Sequence, residues 1–169
     1  MMLRGRPMTA KDSVAAGAGQ SADVSGGALR LGVAAAYRWL LLVFLVAGVV
    51  QMFLAGFGVF HLHAYGLDAT AGDSALDPHR TLGFIMGGIA VVILILALIA
   101  RQGARAIAWA VVLVVQTDVL QSLLAGLGDD SAVWGGLHAL DGFLAIAVAA
   151  YLYGSARTGG RSDRVRSKS

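Results

Sequence analysis

From Ala36 onward the chain alternates between long apolar runs and short polar breaks. Four runs, about Ala36 to Phe60, Pro78 to Ala100, Ile107 to Leu127 and Val133 to Tyr153, have the length of a membrane span. A helix rising 1.5 Å per residue needs roughly 20 such residues to cross a hydrocarbon core of about 30 Å. The pattern therefore predicts an all-α integral membrane protein, a four-helix transmembrane bundle over residues 36–154. Residues 1–30 are rich in Ala, Gly, Ser and Asp, with no apolar period and no aromatic residue, which predicts a disordered tail. The basic stretch 157–169 reads as a second tail.

Composition agrees with the pattern. In 169 residues, 57% are apolar and 14% charged, and the mean hydropathy is +0.73; a soluble globule of this size carries more polar groups. The chain has no cysteine, which excludes disulfides, thiolate nucleophiles and Cys-ligated zinc or iron–sulfur centres. It has no glutamate either, and its basic residues are eleven Arg to two Lys, a bias that fits a GC-rich bacterial genome. The net charge of +3 is no sign of nucleic-acid binding, because the positive charges sort by side. Arg4, Arg6, Lys11, Arg30 and Arg38 precede the first span, Arg101 and Arg105 lie between the second and third, and Arg157 to Lys168 follow the fourth. The other two loops hold Asp68, Asp73, Asp77, Asp129 and Asp130. The positive-inside rule then puts both termini in the cytoplasm of a bacterial cell, with the chain threaded through its plasma membrane. No nucleophile triad or phosphate loop occurs, and pairs such as Gly56-x-Gly58 lie in apolar helix ends rather than strand-to-helix turns.

The spans repeat. Trp39 recurs as Trp109, and Gln51-Met-Phe-Leu-Ala-Gly-Phe-Gly58 recurs seventy residues later as Gln121-Ser-Leu-Leu-Ala-Gly-Leu-Gly128, with five identities in eight. Each copy is followed by a loop and then His-x-x-x-Gly-Phe: His79 with Gly83 and Phe84, His138 with Gly142 and Phe143. Since both helix pairs enter from the same side, the repeats are expected to be parallel, related by a pseudo-two-fold axis along the membrane normal. That axis places His79 and His138 at similar depth near the extracytoplasmic side. The copies differ in the outer loop, with twenty residues between Gly58 and His79 against nine between Gly128 and His138. The longer loop ends in Asp77-Pro78, which reads as an N-cap followed by a proline at the first helical position.

Polar side chains inside a bilayer are costly enough to mark function. Here they are His79 and Arg80 at the start of the second helix, His138 and Asp141 three apart on the fourth, Asp118 and Gln121 three apart on the third, and Gln51 as the counterpart of Gln121. Such spacings share one helix face. Gly83 and Gly142, a turn beyond each histidine, either let backbones pack closely or leave a slot for a flat ligand. Two neutral imidazoles facing one another in a bundle core suit the two axial positions of haem iron, so haem b is the candidate cofactor. Arg80 is then placed to fork onto a propionate, and Asp141 to act behind His138. The alternative is that the histidines and glutamines hydrogen-bond between helices of a cofactor-free structural or assembly subunit. A third reading, a small transporter or quinone-binding protein, centres on Asp118 and Gln121; Asp118 itself is either a proton-carrying site or an aspartate kept neutral by burial and hydrogen-bonded to Gln121. His61-x-His63, just outside the first helix, either offers two ligands to a metal or lies in a solvated loop. The expected partners are the lipid bilayer, a membrane redox or assembly partner, and a second copy of the chain.

His79-Arg80 after an Asp-bearing loop, the Gln-x-x-Leu-Ala-Gly ends of the odd helices, and Leu137-His138 early in the fourth helix together resemble one four-helix half of haem A synthase. They resemble more closely a family of small four-span bacterial membrane proteins that share the pattern. The resemblance covers about Tyr37 to Tyr153 through short motifs. It implies a four-helix bundle with a haem-binding histidine pair, matched here by His79 and His138. The synthase's glutamate, implicated in oxidising the haem methyl group, falls at Leu76, with Asp77 nearest; the cysteine pair of many bacterial synthases is missing, and so is a second bundle. What carries over is haem b ligation rather than haem A synthesis.

Overall fold

The structure, a computed structural model, describes the backbone of residues 10–65, 69–128 and 131–166 and the side chains of residues 27–64, 74–128 and 131–158. Its elements are α1 (Ala10–Tyr65), α2 (Ala69–Ile99), α3 (Ala104–Gly128) and α4 (Ala132–Arg166). Among the described residues there is no strand. Each helix contains a stretch long and apolar enough to cross a membrane: Gly27–Ala64, Ser74–Ile99, Ala104–Gly128 and Ala132–Thr158. The protein is therefore a multi-pass membrane protein built as a four-helix bundle. α1 packs against α2 and α4, and α3 packs against the same two helices, so α2 and α4 face each other across a diagonal.

The helices overrun the sequence-based boundaries. α1 begins at Ala10, inside the segment that composition assigns to a tail, and α4 continues to Arg166; residue 30 is thus not a helix boundary. The stretch is alanine-rich and free of proline after Pro7, so no proline interrupts the helix. At its other end α1 passes Phe60 and reaches Tyr65. Pro78 is also not a first-turn proline, and Asp77 is not an N-cap: α2 starts at Ala69 and carries Pro78 in its interior. That proline forgoes one helical hydrogen bond. Asp77 instead sits 3.7 Å from the Arg80 guanidinium, one turn away, and such an exposed pair adds little stability.

Packing is concentrated at one end. The buried apolar side chains are Tyr37, Leu41 and Phe44 on α1, Met86, Ala90, Ile93 and Ala97 on α2, Ala110 and Leu113 on α3, and Ala145, Ala149 and Leu152 on α4. All lie on the side of the bundle that holds the α2–α3 connection, hereafter the closed end. At the level of the two histidines no described apolar side chain is fully buried.

The turn out of α2 shows how the closed end is tied. Gln102 N–H donates to Ala97 O at 2.9 Å and Arg101 N–H to Leu98 O at 3.1 Å, the paired bonds of a Schellman motif. That motif needs a left-handed residue, and Arg101 supplies it at φ 51°, although a side chain there costs about 1 kcal/mol relative to glycine. Arg101→Gly is accordingly expected to stabilise the purified protein by roughly 0.5–1 kcal/mol, read as a raised midpoint in detergent unfolding.

α3 is not uniform. Between α-helical Ala104–Val114 and Gln121–Gly128 lies a π-helical turn, Val115–Leu120, closed by Gln121 N–H on Gln116 O. Thr117 provides a local cause. Its hydroxyl donates to Leu113 O at 2.9 Å, competing with the backbone for that carbonyl and loosening the α-helical ladder. One extra residue in a turn rotates the two halves of the helix by about 100° relative to each other. The burial pattern records this rotation. α1 buries Tyr37, Leu41, Phe44 and Gly48, which correspond in the seventy-residue register to Ile107, Val111, Val114 and Asp118; α3 buries Ala110, Leu113 and Gln116 instead.

Candidate functional site

The two histidines hold the same hydrogen bonds in the two helix pairs. On the α1–α2 seam, Gln51 Nε2 donates to His79 O at 2.9 Å, and His79 Nδ1 lies 3.2 Å from Gln51 O. On the α3–α4 seam, Gln121 Nε2 donates to His138 O at 2.9 Å, and His138 Nδ1 lies 3.1 Å from Gln121 O. A carbonyl oxygen only accepts, so in both dyads Nδ1 carries the hydrogen. The other nitrogen, Nε2, keeps its lone pair in the neutral ring. Across the diagonal the two ring centroids are 6.1 Å apart, with the planes at 72°.

The second dyad has an extension that the first lacks. Asp141, buried, accepts from Gln121 Nε2 on Oδ2 at 2.9 Å and from Gln116 Nε2 on Oδ1 at 3.2 Å. The π turn brings Gln116 inward to do this. In the register of the histidines the α2 counterpart of Asp141 is Leu82, so only one helix pair contains a carboxyl group beneath its histidine. Gln51 Oε1 and Gln116 Oε1 are buried without a hydrogen-bond partner.

Gly83 and Gly142 do not face open space. A Cβ on Gly83 would stand 3.2 Å from Gln51 Nε2, and one on Gly142 would stand 2.9 Å from Met52 Cε. The bare backbones thus admit Gln51, whose amide holds His79, and Met52. Phe84 and Phe143, which follow these glycines, point outward, 80% and 59% exposed. Arg80 is also exposed, at the outer edge beside Asp77.

Other expectations are revised. Asp118 and Gln121 do not form a pair: Asp118 accepts from the Thr117 hydroxyl at 3.3 Å and lies over Gly87 of α2, while Gln121 is committed to His138 and Asp141. The π turn is the reason, because it rotates Asp118 away from the inward position that Gly48 holds on α1. Asp118 is exposed, not buried. His61 and His63 are both helical, since α1 extends to Tyr65, and residues two apart on a helix point to different faces. His61 stacks on Phe57 with centroids 5.7 Å apart. Among the described residues no group of three or more His, Asp or Glu side chains converges as a metal site.

The Gln116–Asp141–Gln121 chain escaped the sequence reading because the π turn leaves no trace in the spacing: Trp to Gln is the same number of residues in both copies. Thr117, four residues after Leu113 and in the first copy matched by Ala47, was the available signal. Comparison of the chain with protein-family models, with curated proteins and with solved structures finds no match.

Proposed function

We propose that this protein is a small cytochrome b-like membrane protein that binds one haem b between His79 and His138, for electron transfer or haem handling. One observation carries the reading: both imidazoles are anchored through Nδ1 on a backbone carbonyl, which leaves Nε2 of each as the ligating atom, and the rings stand 6.1 Å apart. Fixing a ligand histidine through its other nitrogen is the usual support of a metal site. Two imidazoles bound to one metal on opposite sides, with bonds of about 2.0 Å, have ring centroids roughly 6 Å apart. Two ligands without a third suit a macrocycle, which brings its own four nitrogens. The donors present therefore fit haem b.

In this reading His79 and His138 would hold the haem iron, and Gln51 and Gln121 set the tautomer and direction of each ring. Arg80, exposed at the rim beside Asp77, would pair with a propionate. Bound haem supplies one-electron redox chemistry, and the protein supplies ligation and local charge. The incomplete packing at the histidine level supports a ligand there. Gly83 and Gly142 serve the ligands through Gln51 and Met52 rather than as walls of the slot. The helix pairs are parallel repeats about an axis along the membrane normal, both termini are cytoplasmic, and the histidines lie toward the outer face of a bacterial plasma membrane.

A reduced-minus-oxidised spectrum of protein purified from haem-replete cells tests the proposal. A Soret band with sharp reduced α and β bands is expected, and a colourless, folded protein would overturn it. The second reading, a cofactor-free assembly subunit, draws on the same Gln–His bonds as interhelical ties, each worth about 0.6 kcal/mol in a bilayer. It predicts a colourless protein that co-purifies with a larger complex.

A further inference from the structure

At the closed end a cleft of about 350 Å³ opens between α1 and α4. Its α1 wall is Ala35, Arg38, Trp39 and Leu42, one helix stripe at spacings of three and four, and its α4 wall is Tyr153 and Arg157, one turn apart. The Arg157 guanidinium lies 5.7 Å over the Tyr153 ring. Neither arginine has a carboxylate partner among the described residues, and no acidic side chain lines the cleft. Trp39 is 67% exposed, a large indole on the lipid-facing side of the wall.

The matching seam between α2 and α3 is different. In the repeat register, Arg38, Tyr153 and Arg157 correspond to Ala108, Leu94 and Leu98, so the arginines are not a by-product of duplication. On the adjoining α3–α4 seam the comparable groups satisfy one another, with Trp109 5.6 Å from Tyr151 and Arg105 5.6 Å above the same ring. The α1–α4 cleft, by contrast, presents two guanidiniums to an incoming group.

From this we infer that the cleft is a binding site for an anionic phospholipid, with Arg38 and Arg157 holding the headgroup phosphate and Trp39 and Leu42 lying along an acyl chain. Guanidinium forks match phosphate oxygens. Trp and Tyr favour headgroup depth, where the ring is half in lipid. A water-borne phosphate would use the arginines but not the exposed indole or the half-buried Leu42 beside it, and this favours a lipid source.

The test uses Trp39 as its own reporter. The chain has three tryptophans, and Trp109→Phe with Trp134→Phe leaves Trp39 alone. This variant is reconstituted in phosphatidylcholine vesicles containing a minor fraction of dibrominated phosphatidylglycerol or, for comparison, dibrominated phosphatidylcholine. Quenching is expected to show about a tenfold preference for the anionic lipid. Arg38→Gln with Arg157→Gln brings the preference close to one, whereas Arg101→Gln with Arg105→Gln, which removes the same charge elsewhere at the closed end, leaves it unchanged. Equal loss in both double variants, or no preference at the outset, would overturn the site. Relief of quenching by inorganic phosphate, beyond that by chloride at equal ionic strength, would show a phosphate site and not a lipid site. Mass spectrometry of the unmodified chain and of Arg38→Gln/Arg157→Gln gives a second readout: phosphatidylglycerol adducts that outlast phosphatidylcholine adducts only in the former.

Discussion

His138→Ala is expected to abolish the Soret band of the purified protein, and His79→Ala to do the same. The two effects should be similar because the dyads are similar: each ring is held by one Nδ1 bond, and each provides one Nε2. Removing a support behind a ligand already costs about 10–100-fold in affinity, so loss of a ligand itself leaves haem occupancy at the background level after purification. Each substitution also removes one hydrogen bond between helices, of about 0.6 kcal/mol on average in a bilayer. Helix content and monodispersity should therefore survive. Added imidazole, which can enter the vacated space, is expected to restore part of the band. Either variant keeping the full spectrum would remove the histidine pair as ligands; loss of helix together with haem would leave only a structural role.

Asp141→Leu is expected to destabilise the bundle by about 1–3 kcal/mol, the cost of leaving buried polar groups without partners. The substitution gives α4 the residue that α2 has at Leu82. Its consequence differs from a simple symmetrisation, because Gln116 is buried opposite Asp141 with Oε1 already unpartnered. Removing the carboxylate then leaves the whole Gln116 amide unsatisfied, while Gln121 retains its bond to His138 O. Asp141→Leu combined with Gln116→Leu should recover most of the loss, since deleting both partners of a buried bond can be nearly neutral. A denaturation series in detergent reads all three variants; a double variant as unstable as the sum of the singles would contradict the Gln116–Asp141 contact.

Much of this molecule was legible from its residues. Apolar run length located the four helices, because only a helix satisfies its own backbone bonds within lipid. The repeated Gln and His pointed to paired positions, and the structure joins each Gln to its His along a seam and brings the two histidines together across the diagonal. The acceptors were not legible: His79 and His138 each use a backbone carbonyl, which every residue has and no side-chain pattern marks. Gly83 and Gly142 left two readings open, close packing or a slot for a flat ligand; Gln51 and Met52 take that space, and their approach depends on the seam and not on the helix that carries the glycine. His61 and His63 were placed in a loop because polarity rises after Phe60, whereas the helix continues to Tyr65 and separates them. Asp118 matches Gly48 in the seventy-residue register, but a π turn with no insertion in the sequence leaves it exposed, lying over Gly87 of α2.

The one-sided core has a mechanical consequence. With Phe44, Ile93, Leu113 and Leu152 packed in one cluster at one end and each helix pair tied at the other by its Gln–His bonds, the two pairs would act as the arms of tongs whose pivot lies far from the jaws. Small angular play at the pivot becomes a larger gap beside His79 and His138, so a flat guest could enter sideways from the lipid without the helices losing their mutual register.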